Sequence, residues 1–279
     1  MSKTTKKRSG IIFLVTLIAL LVGIILTGKG AGEESIKVIM KDAVLHDNSR
    51  ISLFGIAKVN PGLISAYIVT AVIILFALIV RIFVIPKFTT IPGKFQLLLE
   101  EGVKLFDGLA KSNSPHRNGF LGAYIFAAGA YIFIGTLFEL FGFQVMTTNG
   151  GHVVLPAPLA DINAAIALGV MSYGVIMSGG IATNGIKGAL KTLKDFSLPI
   201  SMSFRMFGAL LSGALVSELV YYYAATRYVI PVLVGVLFTL LHALIQAYVL
   251  TMLTSMFYGE VSEKTHKENK SEEKQHEQN

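Results

Sequence analysis

LPISMSFRMFGALLSGALVSE, residues 198–218, reads as the opening of a long apolar helix that carries one permanent cation, Arg205. A guanidinium at mid-bilayer costs roughly 2.5–3.5 kcal/mol on insertion scales, so a residue of this kind normally faces a partner or water. Arg205 lies about two turns inside the expected helix start, which is deep for a side chain that merely snorkels to the headgroups. With 3.6 residues per turn it shares a face with Ser201, Gly208, Ala209, Ser212 and Val216. These side chains are small and leave room for another helix or for water beside the long cation. The stretch therefore points to a membrane protein and makes Arg205 its functional question.

Composition agrees. The 279 residues are 53% hydrophobic and only 15% charged, and the mean hydropathy of +0.65 exceeds what a soluble domain carries. A formal charge of +7 could suggest nucleic acid, yet the Lys and Arg sit in short segments between apolar runs rather than in a basic stripe with interleaved aromatics. Nucleic acid is thus not an expected partner; the lipid bilayer is. The chain has no Cys, which excludes disulfides, thiolate metal sites and cysteine nucleophiles.

The organisation expected from the sequence is all-α, with five or six transmembrane helices, a long C-terminal helical hairpin and amphipathic cytoplasmic segments. Residues 1–32 form a basic N-terminus and a hydrophobic run, Ile11 to Thr27, that is either a retained anchor or a secretory signal; Lys29 before Ala31 is a poor cleavage match and favours the anchor. Residues 33–60 read as an external polar hairpin or loop around His46-Asp-Asn-Ser49. Residues 61–258 form the membrane domain. Its spans are Leu63 to Ile85, closed by Pro86; Phe120 to Phe143, with Glu139 near the far end; Asp161 to Thr183, punctuated by Gly169, Gly174, Gly179 and Gly180; then Leu198 to Ala225 and Tyr228 to Tyr258 as an antiparallel pair. Pro92 to Ser114 alternates apolar and charged residues at helical spacing, as in a helix lying at the membrane surface or against a neighbour. Residues 259–279 form a polar tail expected to be disordered and cytoplasmic. The basic segments 1–8, 86–117, 184–197 and 259–279 all fall on one side of an even-numbered path, which puts the C-terminus in the cytoplasm and the loop 144–160 outside.

Several other polar groups lie within these apolar segments. Thr239, His242 and Gln246 share a helical face. Gln246 can hydrogen-bond a guanidinium without neutralising it, and His242 is either a proton carrier or a hydrogen-bonded core residue. Glu218 follows Arg205 by thirteen residues, about 140° round an ideal helix, so the two do not form a same-face pair. Glu218, Glu139 and Asp161 collect towards the external end. They either line a water-filled cation path or simply face interfacial water. There is no phosphate-binding Gly-Lys-Ser/Thr loop, no His-Glu-x-x-His and no Gly-x-Ser-x-Gly elbow, so no cofactor and no catalytic site are expected. A secondary transporter or channel that holds an anionic substrate on its arginine is an alternative, but no convincing internal repeat supports it.

Pro199-Ile-Ser-Met-Ser-Phe-Arg205-Met-Phe-Gly208 resembles the signature of subunit a of the F-type ATP synthases, Pro-x-Ser-Leu-x-x-Arg-Leu-Phe-Gly-Asn. Pro92-Gly-Lys-Phe-Gln96 with Glu100 is similar to that family's Pro-Gly-x-x-Gln-x-x-x-Glu stretch, Ala160-Asp161-Ile-Asn163 to its Ala-Asp-x-Asn before a span, and Gln246 falls where its last helix carries a glutamine. The resemblance covers about Val59 to Tyr258. It implies a non-catalytic stator subunit in a bacterial cytoplasmic membrane, partnered with a ring of c subunits, b subunits and the rest of the ATP synthase. Arg205 would face the ring's ion-carrying carboxylates, and H⁺ or Na⁺ would pass through two half-channels. Three departures stand out: Ala209 replaces the usual Asn, Ala214 a position often acidic or His, and Lys191 a position often acidic. The implied expectation is that Glu218 or His242 supplies the missing polar group.

Overall fold

The computed structural model of the chain describes residues 15, 51–53, 57–116, 118–146, 152–222 and 230–264. The expected anchor or signal within 1–32, most of the hairpin within 33–60 and the tail from 265 onward lie outside the described residues. Two compact units are present: residues 49–210 with 239–279, and a second unit that includes residues 211–238.

The elements of the first unit begin with a short antiparallel pair, β1 (Ile51–Leu53) and β2 (Ala57–Val59), with Ile51 opposite Val59. Helix α1 (Pro61–Ile79) starts sharply: the Asn60 side chain accepts from Gly62 N at 3.0 Å, and Pro61, which has no N–H to orphan, takes the first position. Pro86 cannot donate back to the preceding turn and its ring crowds the carbonyl there. The helix accordingly loosens into a π turn over Val80–Val84 and leaves through a 3₁₀ turn over Ile85–Lys87. Gln96 then clamps the connection to α2 (Lys94–Asn113): its amide accepts from Thr89 N at 3.2 Å, donates to Thr89 O at 2.9 Å and donates to Glu100 at 2.7 Å.

The amphipathic α2 packs against a neighbour, one of the two alternatives its sequence allows. It runs antiparallel to α3 (Leu121–Phe138), with Phe106 edge-on to Phe126 and Gly122 beside Asp107 and Ala110. Gly129 leaves the space that the Phe106 ring fills, since a Cβ there would sit 2.8 Å from it. The N-terminal half of α2 stays open, exposing Phe95, Leu98 and Val103.

After a 3₁₀ turn at Glu139–Phe141, the loop 144–160 holds more structure than its Gly and Pro content suggests. Strands β3 (Gln144–Met146) and β4 (His152–Val154) pair antiparallel. Leu155, Ala157 and Leu159 are then fully buried. Pro158 lies against Gly135 of α3, and Gly135 in turn lies near Val69 of α1. Apolar side chains wedge this loop between the spans, which spacing alone could not announce.

Helix α4 (Ile162–Lys194) is broken at Gly185, whose φ of 57° and ψ of −139° are open only to glycine without strain. Residues 162–184 make the span. Residues 186–194, expected as a basic linker, form a second helical piece that folds back: a Cβ on Gly180 would meet Gly188 O and Thr192 Oγ1, and Tyr173 donates to Thr192 O at 2.9 Å. Helices α5 (Ser197–Tyr222) and α6 (Ile230–Ser262) follow. The last helix continues through Gly259 and Val261, both buried, beyond the Tyr258 at which hydropathy ends the span.

One apolar cluster joins α2 to α6 within this unit, including Leu121, Ile125 and Ile132 of α3, Leu168 and Ile176 of α4, Met202 and Met206 of α5, and Leu250 of α6. In the second unit, residues 211–222 and 230–238 are helical. Four helical stretches among the described residues are long and apolar enough to cross a membrane: Pro61–Lys87, Leu121–Phe141, Ile162–Lys194 and Gly235–Ser262. The chain is an all-α multi-pass membrane protein.

Candidate functional site

Arg205 is the ninth residue of α5, so it stands about 12 Å along the axis from Ser197. The helix is two-sided there. Met202, Ser203, Met206 and Leu210 are buried, whereas Ser201, Phe204, Arg205, Gly208 and Ser212 are exposed. Helical spacing puts the guanidinium beside Ser201, Gly208 and the Phe204 ring on that exposed side, whereas Ala209 and Val216, expected on the same face, are half-buried. Among the described residues the Arg205 guanidinium has neither a hydrogen bond nor an ion pair.

What holds this side in place is the opposite face. Ser203 donates to Pro199 O at 2.6 Å, which satisfies a hydroxyl buried in the packing. Gly169 of α4 lies against this pair: a Cβ there would overlap Ser203 Oγ and come within 2.9 Å of Pro199 O. Backbone approach through a glycine is how helices gain contact where lipid offers no hydrophobic drive. The crossing is only two residues from Arg205. Gly169 was legible beforehand as a packing residue, but not as the residue that seats the arginine helix.

Gln246 is buried at 6% exposure on α6, between buried Ala243 and Leu250. The structure gives no hydrogen bond between Gln246 and Arg205, both of which are described. His242, one turn earlier, is half-buried and Thr239 likewise, so the expected face does form on the inner side of α6. Its outer side is apolar, with Leu237, Leu241, Leu244 and Tyr248 exposed. Glu218 lies on α5, but its side chain is outside the described residues.

The two remaining acids stand at the far end of the spans. Asp161 is the N-cap of α4: its Oδ1 accepts from Asn163 N at 2.9 Å and from Asn163 Nδ2 at 3.1 Å. A Cβ on Gly62 would lie 3.0 Å from Asp161 Cβ, which places this cap against the start of α1. Glu139 opens the 3₁₀ turn after α3 and is half-buried, and the Phe138 and Phe141 rings, before and after it in the chain, both pack on Phe143.

At the opposite end, where α6 finishes, Asn184 donates to Val261 O at 3.2 Å and to Glu263 O at 2.8 Å, and Lys191 donates to Glu260 O at 3.0 Å. The last carbonyls of a helix have no partner within it and carry the negative end of its dipole, so an amide and a cation are well suited to them. Among the described residues no cluster of His, Cys, Asp and Glu could hold a metal.

Comparison with known proteins converges on one family. The model of the family described as ATP synthase A chain matches residues 63–259. A protein named ATP synthase subunit a from Histophilus somni (strain 2336) is 29% identical over 203 residues, covering 60% of this chain and 76% of that protein. Its counterpart of the same name in Haemophilus ducreyi is 27% identical over 200 residues, covering 61% and 76%. In Haemophilus influenzae (strain PittEE) the similarity, at 25% identity, extends to 235 residues, 72% of this chain and 90% of the relative. The matched region takes in α2 to α5 whole, most of α1 and α6, Arg205 and the glycine crossing beside it, and the chain belongs to the ATP synthase A chain family.

Proposed function

We propose that this chain is the membrane stator subunit of an F-type ATP synthase and that Arg205 is the fixed charge past which ion-carrying carboxylates of a rotating c-ring move. The observation that carries the reading is the exposed arginine itself. A cation on an apolar helix of a membrane protein, its side chain without an intramolecular partner among the described residues, is costly within the bilayer unless another chain or water receives it. A carboxylate on a neighbouring subunit meets that requirement. Coulomb attraction to the guanidinium lowers a carboxylate's affinity for its ion, so the site gives up H⁺ or Na⁺ as it arrives. The same positive charge opposes a loaded cation crossing directly from one half-channel to the other.

In this reading the small side chains of Ser201, Gly208 and Ser212 let the ring approach and let water reach the carboxylate. Gln246 and His242 supply polar groups for the gate, with Glu218, Asp161 and Glu139 towards the external end. The b subunits and the soluble ATPase complete the complex, the setting is the bacterial cytoplasmic membrane, and the C-terminus is cytoplasmic. The subunit has no catalytic site of its own. Each elementary charge crossing 100 mV supplies about 2.3 kcal/mol, so several ions pass per ATP made.

The test is Arg205→Ala in the assembled complex reconstituted into sealed vesicles. Ion-driven ATP synthesis is lost while the variant still co-purifies with the ring and the soluble ATPase. Synthesis at the parental rate would overturn the assignment, and substrate transport by the isolated chain would favour a transporter.

A further inference from the structure

The helical piece 186–194 has three faces with different chemistry. Gly188 and Thr192 are buried against the span of α4. About 150° away on a helical wheel, Ile186, Leu190 and Leu193 form a narrow stripe, exposed at 81%, 57% and 53%. Lys187 and Lys194 lie side by side on the flank between them, seven residues and so about 10 Å apart, and both are exposed. Lys191 is on the same flank but is committed to Glu260 O at 3.0 Å. Among the described residues Lys187 and Lys194 have no such commitment. Asp195, just past the helix, is the nearest acid in sequence.

Position adds a second observation. The corner at Asn184 bonds the carbonyls of Val261 and Glu263, so the folded-back piece begins level with the polar end of α6. A helix with an apolar stripe and a lysine flank at that level has the pattern of an interfacial segment. Unlike a typical surface helix it is pinned to the bundle by its third face, which turns a loose preference into a formed site.

We propose that 186–194 is a binding site for an anionic phospholipid, with the headgroup phosphate held between Lys187 and Lys194 and an acyl chain lying along Ile186, Leu190 and Leu193. A free phosphate would use the lysines but leave the stripe in water. A zwitterionic lipid would cover the stripe but offer the lysines no net charge. Only an anionic lipid satisfies both faces. The inference rests on the membrane setting and is independent of the role given to Arg205.

The chain has no Trp, so Leu190→Trp introduces one indole that reports this stripe alone. The full chain carrying it is reconstituted into phosphatidylcholine vesicles that contain either phosphatidylglycerol or phosphatidylcholine with brominated acyl chains, at equal mole fraction. Brominated phosphatidylglycerol is expected to quench more strongly, with an apparent preference on the order of tenfold for two lysines at low salt, weakening as salt is raised. Adding Lys187→Gln and Lys194→Gln should bring the two lipids to equal quenching. Leu75→Trp, on the exposed face of α1, provides the comparison and should show no preference. Equal quenching at Leu190→Trp by both lipids would overturn the proposal, leaving only a greasy face. Quenching by neither, with access to aqueous acrylamide, would overturn it by placing the stripe in water. Preference that survives both lysine substitutions would assign selectivity elsewhere and would equally sink it. If the quenching seen in the free chain disappears in the assembled complex, a protein subunit rather than lipid covers the stripe.

Discussion

Gly169 decides how closely the arginine-bearing helix can approach its neighbour. Substitution by Ala puts a methyl group where Ser203 Oγ and Pro199 O already stand, and overpacking of this kind typically costs 1–3 kcal/mol. Because the displaced residues are within two turns of Arg205 on the same helix, the Gly169→Ala complex should lose ion-driven synthesis more than its thermal unfolding in detergent suggests. Ser203→Gly in that background should recover part of the loss. Asp161 raises a different issue, since one carboxylate could serve as a cap, as an ion ligand, or as both. Asn caps a helix about as well as Asp, whereas Ala costs roughly 1 kcal/mol. Asp161→Asn should therefore keep the melting temperature and lower ion-driven synthesis, while Asp161→Ala lowers both. Parental synthesis in the Asn variant would leave Asp161 as a cap only.

At the scale of elements, the corner in α4 carries the most consequence. Gly185 occupies backbone space that costs other residues about 1–3 kcal/mol, so Gly185→Ala should destabilise the fold by that amount in a chemical unfolding experiment. The straight 33-residue helix that would relieve the strain cannot coexist with Gly188 and Thr192 packed on Gly180. The same corner holds the end of α6. Asn184→Ala removes two hydrogen bonds to its last carbonyls, each worth about 0.5–1.5 kcal/mol. The expected readout is faster amide exchange confined to the final turn of α6, with exchange at the centre of α3 unchanged. Lys191 fits the same picture: its position is often acidic in the resembling family, and here it serves the carbonyl end of a helix dipole.

For the whole molecule, the resemblance implies that Glu218 or His242 supplies the polar group that Ala209 and Ala214 do not. If Glu218 and His242 do so, Glu218→Gln and His242→Ala should each reduce ion-driven ATP synthesis in the assembled complex while leaving its subunit composition intact. Full activity in both variants would remove them from the path.

How far the chain could be read without coordinates follows from these particulars. Hydropathy located the spans at 63–85, 120–143 and 161–183 and the start of α5 near 198, because apolar length against bilayer thickness is a one-dimensional quantity. The side that Arg205 shares with Ser201 and Gly208 was equally legible, since a helix's period lies in its own spacing, although Ala209 and Val216 of the same expected face are half-buried. By contrast, Gly185 resembles the other glycines until its φ is known, and the three lysines after it look alike until one is seen on Glu260 O. The buried loop at 155–159 and the pairing of Gly169 with Ser203 likewise depend on contacts between residues distant in the chain. Sequence by itself therefore determined a helical membrane chain organised around one arginine, because burial of apolar segments and the price of a buried charge act locally along it. Only the tertiary structure decided what seats that arginine, where α4 turns back and which lysines remain open, because those outcomes are set by helices meeting in space.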